Sequence, residues 1–336
     1  MQRPALLVVL ALVAAVLLQH GTGGPMRYGA PVRKTDLMPD LRTGGGIPKL
    51  GRLELVGAWQ LNSVYRDFGN FSAMRQLKSG TILALSDRND YMEFVPPDRP
   101  GPFAVLRQGV TMHGKWGDPP PSADAEAFVV DPANQDIVLA SEGVGELYRF
   151  SPDLVRHRRI PVPELAAWPE NKGPEAMVLL QDGRLVILGE TYTDWDDEKL
   201  HPGLVFSGIP GPAHPQRPGH FTIAMPAGFR PVELEQLPDG RLLVLGRSFS
   251  ITGFRNVIAL VDSRAIRAGA TVATQEIARI DDPRIRDNFE GMAVTADADG
   301  KPAIWIISDS NLMVRLQRTL LLKLRFRAAY RISDPP

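Results

Sequence analysis

One pattern recurs five times along this chain, and repetition at a regular spacing constrains the fold more than any single motif. In each copy a polar residue precedes a small one and then Met or Phe; an apolar run, a Gly/Asp/Asn turn and a second apolar run follow. The second run ends in Asp, Glu or, once, Arg. The clearest copy begins Pro174-Glu175-Ala176-Met177, turns at Gln181-Asp182-Gly183-Arg184, and ends at Gly189-Glu190. Others run from Ser72-Ala73-Met74 to Ser86-Asp87, from Glu126-Ala127-Phe128 to Ser141-Glu142, and from Glu290-Gly291-Met292 to Ser308-Asp309. A degenerate fourth copy places Glu233-Leu234-Glu235 before the turn Pro238-Asp239-Gly240 and ends at Arg247. Ala73, Ala127, Ala176, Leu234 and Gly291 are thus 54, 49, 58 and 57 residues apart. That period is a little longer than the roughly 40–50 residues of familiar propeller blades.

Each repeat holds further short strand-like runs, such as Tyr91-Met92-Glu93-Phe94-Val95 and Val257-Ile258-Ala259-Leu260-Val261. Three to four short strands per repeat, punctuated by 31 glycines and 30 prolines, describe an all-β chain. The expected architecture is a single β-propeller of five or six blades over residues 50–327. A pair of β-sandwich domains is the rival fold, and a repeat of this length argues against it. The strongly apolar run Thr319 to Phe326 is expected to close the ring against the first blade.

Lys+Arg and Asp+Glu are both 38, so the basic excess of a nucleic-acid binder is missing. The absence of cysteine excludes disulfides, Cys-ligated zinc and a thiol nucleophile. At the N-terminus, Arg3 precedes an unbroken Ala/Leu/Val run from Ala5 to Leu18. It is short for a membrane span and has the length of a signal-peptide apolar region. Residues 1–23 therefore read as a signal peptide or an uncleaved signal-anchor. The propeller is expected outside the cytoplasm, periplasmic or secreted, touching the inner membrane only through that segment if it is retained. Residues 24–49, with Gly44-Gly45-Gly46, read as a flexible lead-in, and 328–336 as a tail.

The repeat also has a chemical consequence. Its two apolar runs form a hairpin, so the residue before the first strand and the residue after the second share the end opposite the turn. The pairs are Ser72 with Asp87, Glu126 with Glu142, Glu175 with Glu190, Glu235 with Arg247, and Glu290 with Asp309. A radial arrangement gathers them at one mouth of the central channel. Crowded carboxylates repel unless something positive neutralises them. Calcium, with six to eight hard oxygen ligands, is the natural candidate. Asn70, Asn89, Asn171, Asn288 and Asn311 stand near the same ends. Arg75, Arg88, Lys172 and Arg247 flank them and suit a bound anion. The same glutamates also suit a purely structural role, locking blade to blade through backbone N–H groups. His113, beside Lys115 and Trp116, is an ordinary loop histidine in this reading. No G-x-S-x-G, H-E-x-x-H or P-loop is present.

The segments Ala123-Asp124-Ala125-Glu126-Ala127-Phe128, Asn171-Lys172-Gly173-Pro174-Glu175-Ala176-Met177 and Asn288-Phe289-Glu290-Gly291-Met292 resemble motifs of the phytase-like, "esterase-like activity of phytase" family. So does the ending Asp309-Ser310-Asn311 through Gln317 to Lys323; the resemblance spans about Arg52 to Phe326. It implies export, a propeller, a calcium site, and hydrolysis of a small-molecule phosphate or carboxylic ester. Glu126, Glu175 and Glu290 would face the metal, beside Glu142, Glu190 and Asp309. Glu175, Glu290 and Lys172 are the catalytic candidates, and Arg75, Arg88 and Arg247 the substrate-binding ones. Ser72 and Arg247 depart from the pattern, and the dense Lys/Arg pocket suited to a many-phosphate substrate is not evident. The alternative is a non-catalytic propeller that binds a ligand or protein on its rim.

Overall fold

The computed structural model describes residues 31–64, 68–100, 103–110, 125–143, 145–169, 173–190, 199–211, 216–251, 253–310 and 317–327. The N-terminal apolar run, His113, Lys115, Trp116, Asn171, Lys172, Asn311 and the tail at 328–336 lie outside the described residues.

Among the described residues the strands form five sheets, one per repeat. Blade one is β4 (Phe71–Gln76), β5 (Ile82–Ser86), β6 (Asp90–Phe94) and β7 (Val105–Val110). Blade two is β8 (Ala125–Val130), β9 (Ile137–Ser141), β10 (Glu146–Phe150) and β11 (His157–Pro161). Blade three is β12 (Pro174–Leu179), β13 (Leu185–Gly189), β14 (Leu200–Phe206) and β15 (Gly219–Ala224), with β19 (Thr271–Ala273) added in parallel. Blade four is β16 (Arg230–Gln236), β17 (Leu242–Ser250), β18 (Gly253–Val261) and β20 (Gln275–Ile280). The innermost strands β4, β8, β12 and β16, with β21 (Phe289–Ala296) of blade five, touch in sequence and close a ring.

Blade five shows how the ring is sealed. Its β21, β22 (Pro302–Ser308) and β23 (Thr319–Phe326) come from the C-terminal end of the chain. β3 (Leu53–Ser63), from the N-terminal end, pairs antiparallel with β23 from Thr319–Leu61 to Phe326–Leu53. The strand expected to close the ring against the first blade is therefore the third strand of the last blade, and closure occurs inside that sheet. The correction has a plain cause: an edge strand offers unpaired N–H and C=O groups, and β3 satisfies them. The lead-in residues also join this blade. Val32–Asp36 (β1) pairs with β3, Met38–Thr43 forms a helix (α1) whose Met38 and Leu41 are buried, and Lys49–Leu50 (β2) pairs with β3.

The second strand of a blade is buried on both faces, so it reads as a continuous apolar run, not an alternation. Ile82–Ser86, Ile137–Ser141 and Leu185–Gly189 are buried throughout. Successive side chains go to opposite blade junctions. Ala176, Val178, Val186 and Leu188 pack with blade four, while Met177, Leu185 and Ile187 pack with blade two. One apolar cluster fills each of the five junctions. Four first hairpins use the same turn, with glycine at positive φ: Gly80, Gly183, Gly240 and Gly300 lie between +76° and +90°. Each glycine N–H donates three residues back, to Leu77, Leu180, Leu237 or Asp297. A β-carbon disfavours that backbone, which is why these turns carry glycine.

Candidate functional site

Each innermost strand carries a β-bulge at its end opposite the turn. A bulge inserts one unpaired residue and re-aims its side chain. The bulged residues are Ser72, Glu126, Glu175, Val232 and Glu290. All lie at the same end of the ring, so the carboxylates that the repeat pattern brought to one mouth do share it. Glu142, Glu190, Arg247 and Asp309 stand at or just beyond the neighbouring strand ends of the same face.

Around the mouth, polar bonds bridge every blade junction. Ser72 Oγ donates to the Ala125 carbonyl at 2.6 Å, joining blades one and two. Gly173 N–H donates to Glu142 Oε1 at 2.9 Å, joining two and three. Arg230 and Arg247 donate to Glu190 Oε1 at 3.2 and 3.1 Å, joining three and four. Arg247 also donates to Glu290 Oε1 and, at 3.2 Å, to Asn288 Oδ1, joining four and five. Ser310 Oγ donates to Asn70 Oδ1 at 3.2 Å and returns to blade one. Asn288 Nδ2 binds Glu290 at 3.0 Å and Asp309 at 2.9 Å, fixing both carboxylates.

Glu175 lies among these groups and is only 7% exposed. Burial drives its carboxyl well above the ordinary carboxylate range. The Glu190 charge adds to that rise, Arg247 opposes it, and Glu142 reinforces it by charge and by a hydrogen bond. Two adjacent carboxylates do not both ionise easily, so the crowding at Glu175 works in the same direction as its burial. The mouth thus holds a buried acid of raised pKa and an arginine clamped between two carboxylates, Glu190 and Glu290. Asp287 is also raised, chiefly by burial, while backbone N–H groups and Arg318 resist the rise.

Two candidate residues sit elsewhere than the sequence placed them, and a third, Arg88, stays at the mouth. Arg75 was expected beside the mouth, but its guanidinium lies buried inside the channel. It donates to Met74 and Met177 carbonyls, to Met292 O at 3.1 Å, to Leu234 O at 3.0 Å and to Glu233 Oε1 at 2.8 Å. It also sits 5.7 Å from the Phe128 ring centroid and so touches all five blades. Glu235 was paired with the mouth residue Arg247, yet its carboxylate meets Arg75 Nε at 3.3 Å. Arg88 is exposed in the short turn between β5 and β6 at the mouth face.

The family match now bears on this geometry. The phytase-like family described as "esterase-like activity of phytase" matches residues 66–312, well over half of the chain. The chain belongs to the phytase-like family. Comparison with curated proteins gives no match. Among solved structures, a gluconolactonase from Xanthomonas campestris is 14% identical, with 91% of this chain and 99% of that one covered and a TM-score of 0.41. The pyranose dehydrogenase PQQ domain from Coprinopsis cinerea is 8% identical over 91% and 99%, with a TM-score of 0.42. A functionally unknown protein from Desulfotomaculum acetoxidans is 11% identical over 78% and 73%, with a TM-score of 0.36. Likeness this remote says nothing about chemistry.

In this phytase-like mouth, Arg230 and His201 escaped the sequence reading. His201 is buried, its Nδ1 lying 3.0 Å from the Glu190 carbonyl. Nothing in the spacing of its strand marks it. Arg230 did have a signal. Pro231 immediately precedes its bulge as Pro174 does, so Pro231-Val232-Glu233-Leu234 corresponds to Pro174-Glu175-Ala176-Met177. That register puts Arg230 at the mouth and Glu233 and Glu235 inside the channel.

Proposed function

We propose that the mouth is the active site of a hydrolase acting on a carboxylic or phosphoric ester. The buried Glu175 carboxyl, raised well above the ordinary carboxylate range among Glu142, Glu190 and Arg247, carries this reading. Proton donation to a departing oxygen needs an acid that keeps its proton near neutral pH, and burial beside other carboxylates provides one. Glu175 donates that proton, and Glu142 is its hydrogen-bonded partner. Glu290, fixed through Oε1 by Arg247 and Asn288, takes a proton from the attacking water. Arg230 and Arg247 face the negative charge that develops on the ester. The family's esterase-like designation supports this chemistry.

The carboxylates do not fit calcium as they stand. Among the described residues no three His, Cys, Asp or Glu converge to hold a metal. Glu190 and Glu290 are bridged by the Arg247 guanidinium where a cation would be required. No step is routed through a metal.

The non-catalytic reading draws on one specific fact: the contacts at the mouth also bridge blades. Turnover separates the two. Full-length protein is assayed on p-nitrophenyl acetate, p-nitrophenyl phosphate and the corresponding alkyl esters, with Glu175→Gln and Glu290→Gln alongside. We expect wild-type turnover of one ester class, lost in Glu290→Gln on every ester and in Glu175→Gln on the alkyl esters, while near-UV circular dichroism is unchanged. Wild-type protein inert on every ester would leave the rim-binding reading in its place.

A further inference from the structure

The three most exposed large apolar side chains among the described residues, Val64, Phe249 and Ile251, all stand on the mouth face. Strand pairing places them there. β5–β6 and β9–β10 turn immediately at the mouth, but β17 and β18 continue beyond the Arg247–Asn256 pair to Ser250–Gly253. Three further residues lift that tip about 10 Å, at about 3.3 Å per residue. The Phe249 and Phe254 rings pack 4.7 Å apart along the extension, and Ile251 at its tip is fully exposed. Val64 follows the mouth end of β3 in the adjacent blade five.

The chain reaches the propeller at the same face, because Val32 opens β1 opposite Ser63. Between Leu18, the last residue of the apolar run, and Val32 stand residues 19–31, thirteen in all. They reach at most about 45 Å when fully extended. A bilayer that takes up Ala5 to Leu18 therefore lies within reach of the mouth face, where the apolar tips project. Isolated exposed apolar residues are ordinary, but tips gathered on one face beside an apolar tether call for an apolar neighbour. Exposed Arg33 on β1 and half-buried Arg255 on the hairpin add positive charge suited to anionic headgroups.

We propose that the blade-four hairpin and the end of β3 dock into the interface of a lipid bilayer, with the propeller lying mouth-down. The inference stands apart from the hydrolytic reading, since the tips lie outside the Glu175 cluster. The cysteine-free sequence allows a single introduced thiol to be labelled. Full-length Ile251→Cys and Val64→Cys, each carrying an environment-sensitive nitrobenzoxadiazole dye, are mixed with phosphatidylethanolamine–phosphatidylglycerol vesicles. Asp182→Cys, in the β12–β13 turn at the opposite end, is the control. The labels at 251 and 64 should brighten about two-fold or more, shift to the blue and be quenched by spin-labelled lipid. The label at 182 should stay open to aqueous acrylamide, and Phe249→Ser should weaken the response at 251. The proposal is overturned if the 251 and 64 labels remain as open to acrylamide as the one at 182. Brightening that tracks protein concentration without vesicles overturns it too, since a second copy would then be the occupant. The Val64 label keeps the test valid should the hairpin variant misfold.

Discussion

Replacing Arg75 by methionine removes the group that ties the five blades at the axis. The loss comprises carbonyl acceptors on Met74, Met177, Leu234 and Met292 and the partner of Glu233 and Glu235. Deleting one member of a buried ion pair costs about 3–5 kcal/mol. At about 2 °C per kcal/mol, melting should fall by roughly 6–10 °C at pH 8. The pH dependence is the sharper test. Glu233 and Glu235 are each raised to about 7, burial being the main cause and Arg75 the main opposing influence. A carboxyl raised on folding leaves stability intact below the unfolded value near 4.5 and reduces it as pH climbs through 7. At pH 5 both glutamates are protonated in the folded protein, so Arg75→Met loses mainly carbonyl bonds. At pH 8 the wild type keeps both ionised against Arg75, while the variant must hold two unpartnered acids. Destabilisation should therefore grow between pH 5 and pH 8, and Glu233→Gln/Glu235→Gln in the variant should recover part of it at pH 8. Thermal melts by circular dichroism across that range decide. Equal destabilisation at both pH values, or a loss below about 1 kcal/mol, would refute the axial ion-pair argument.

Other outcomes follow from the mouth and the ring. Glu175→Gln should lower kcat/KM about 100- to 10,000-fold for an alkyl ester but far less for a p-nitrophenyl ester, whose leaving group departs without protonation. The wild-type rate on alkyl esters should fall with rising pH as Glu175 gives up its proton above the ordinary carboxylate range, and steady-state profiles of the variant should lack that limb. Because Arg230 and Arg247 neutralise Glu190 and Glu290, chelation by EDTA should leave the melting temperature within about 1–2 °C; a larger drop means a bound ion stabilises the native state. Gly291→Leu should prevent soluble folding or cost about 3 kcal/mol or more, measured by urea unfolding. A β-carbon at Gly291 would lie 2.7 Å from Ile307 and 3.1 Å from the Ala73 backbone.

Gly291 also shows how much of the architecture was legible. Ala73, Ala127, Ala176 and Gly291 are small because each follows a bulge where innermost strands converge, and that requirement recurs at the blade period. The bulged glutamates and the hairpin ends were legible for the same reason: geometry repeated in the fold is repeated in the chain. Closure was not, because β3 and β23 share no local signal and meet across most of the sequence. Arg75 was misplaced for a related cause. Its position was read locally, whereas its direction is set by Glu233, 158 residues away.

The fourth repeat looks degenerate only if every blade must contribute the same charge. Blades two, three and five bring Glu126, Glu142, Glu175, Glu190, Glu290 and Asp309 to one face, and a fourth acidic pair there would add repulsion with nothing to offset it. Blade four instead supplies Val232 at the bulge, with Arg230 and Arg247 beside the carboxylates of its neighbours. Its own acids, Glu233 and Glu235, lie one and three residues further inward, where blade one supplies Arg75 in place of an apolar residue. The two departures from the repeat therefore compensate each other along the channel. Aligning the repeats by residue type hid this, because the compensation works by exchanging acid for base; aligning on Pro231 and Pro174 exposes it.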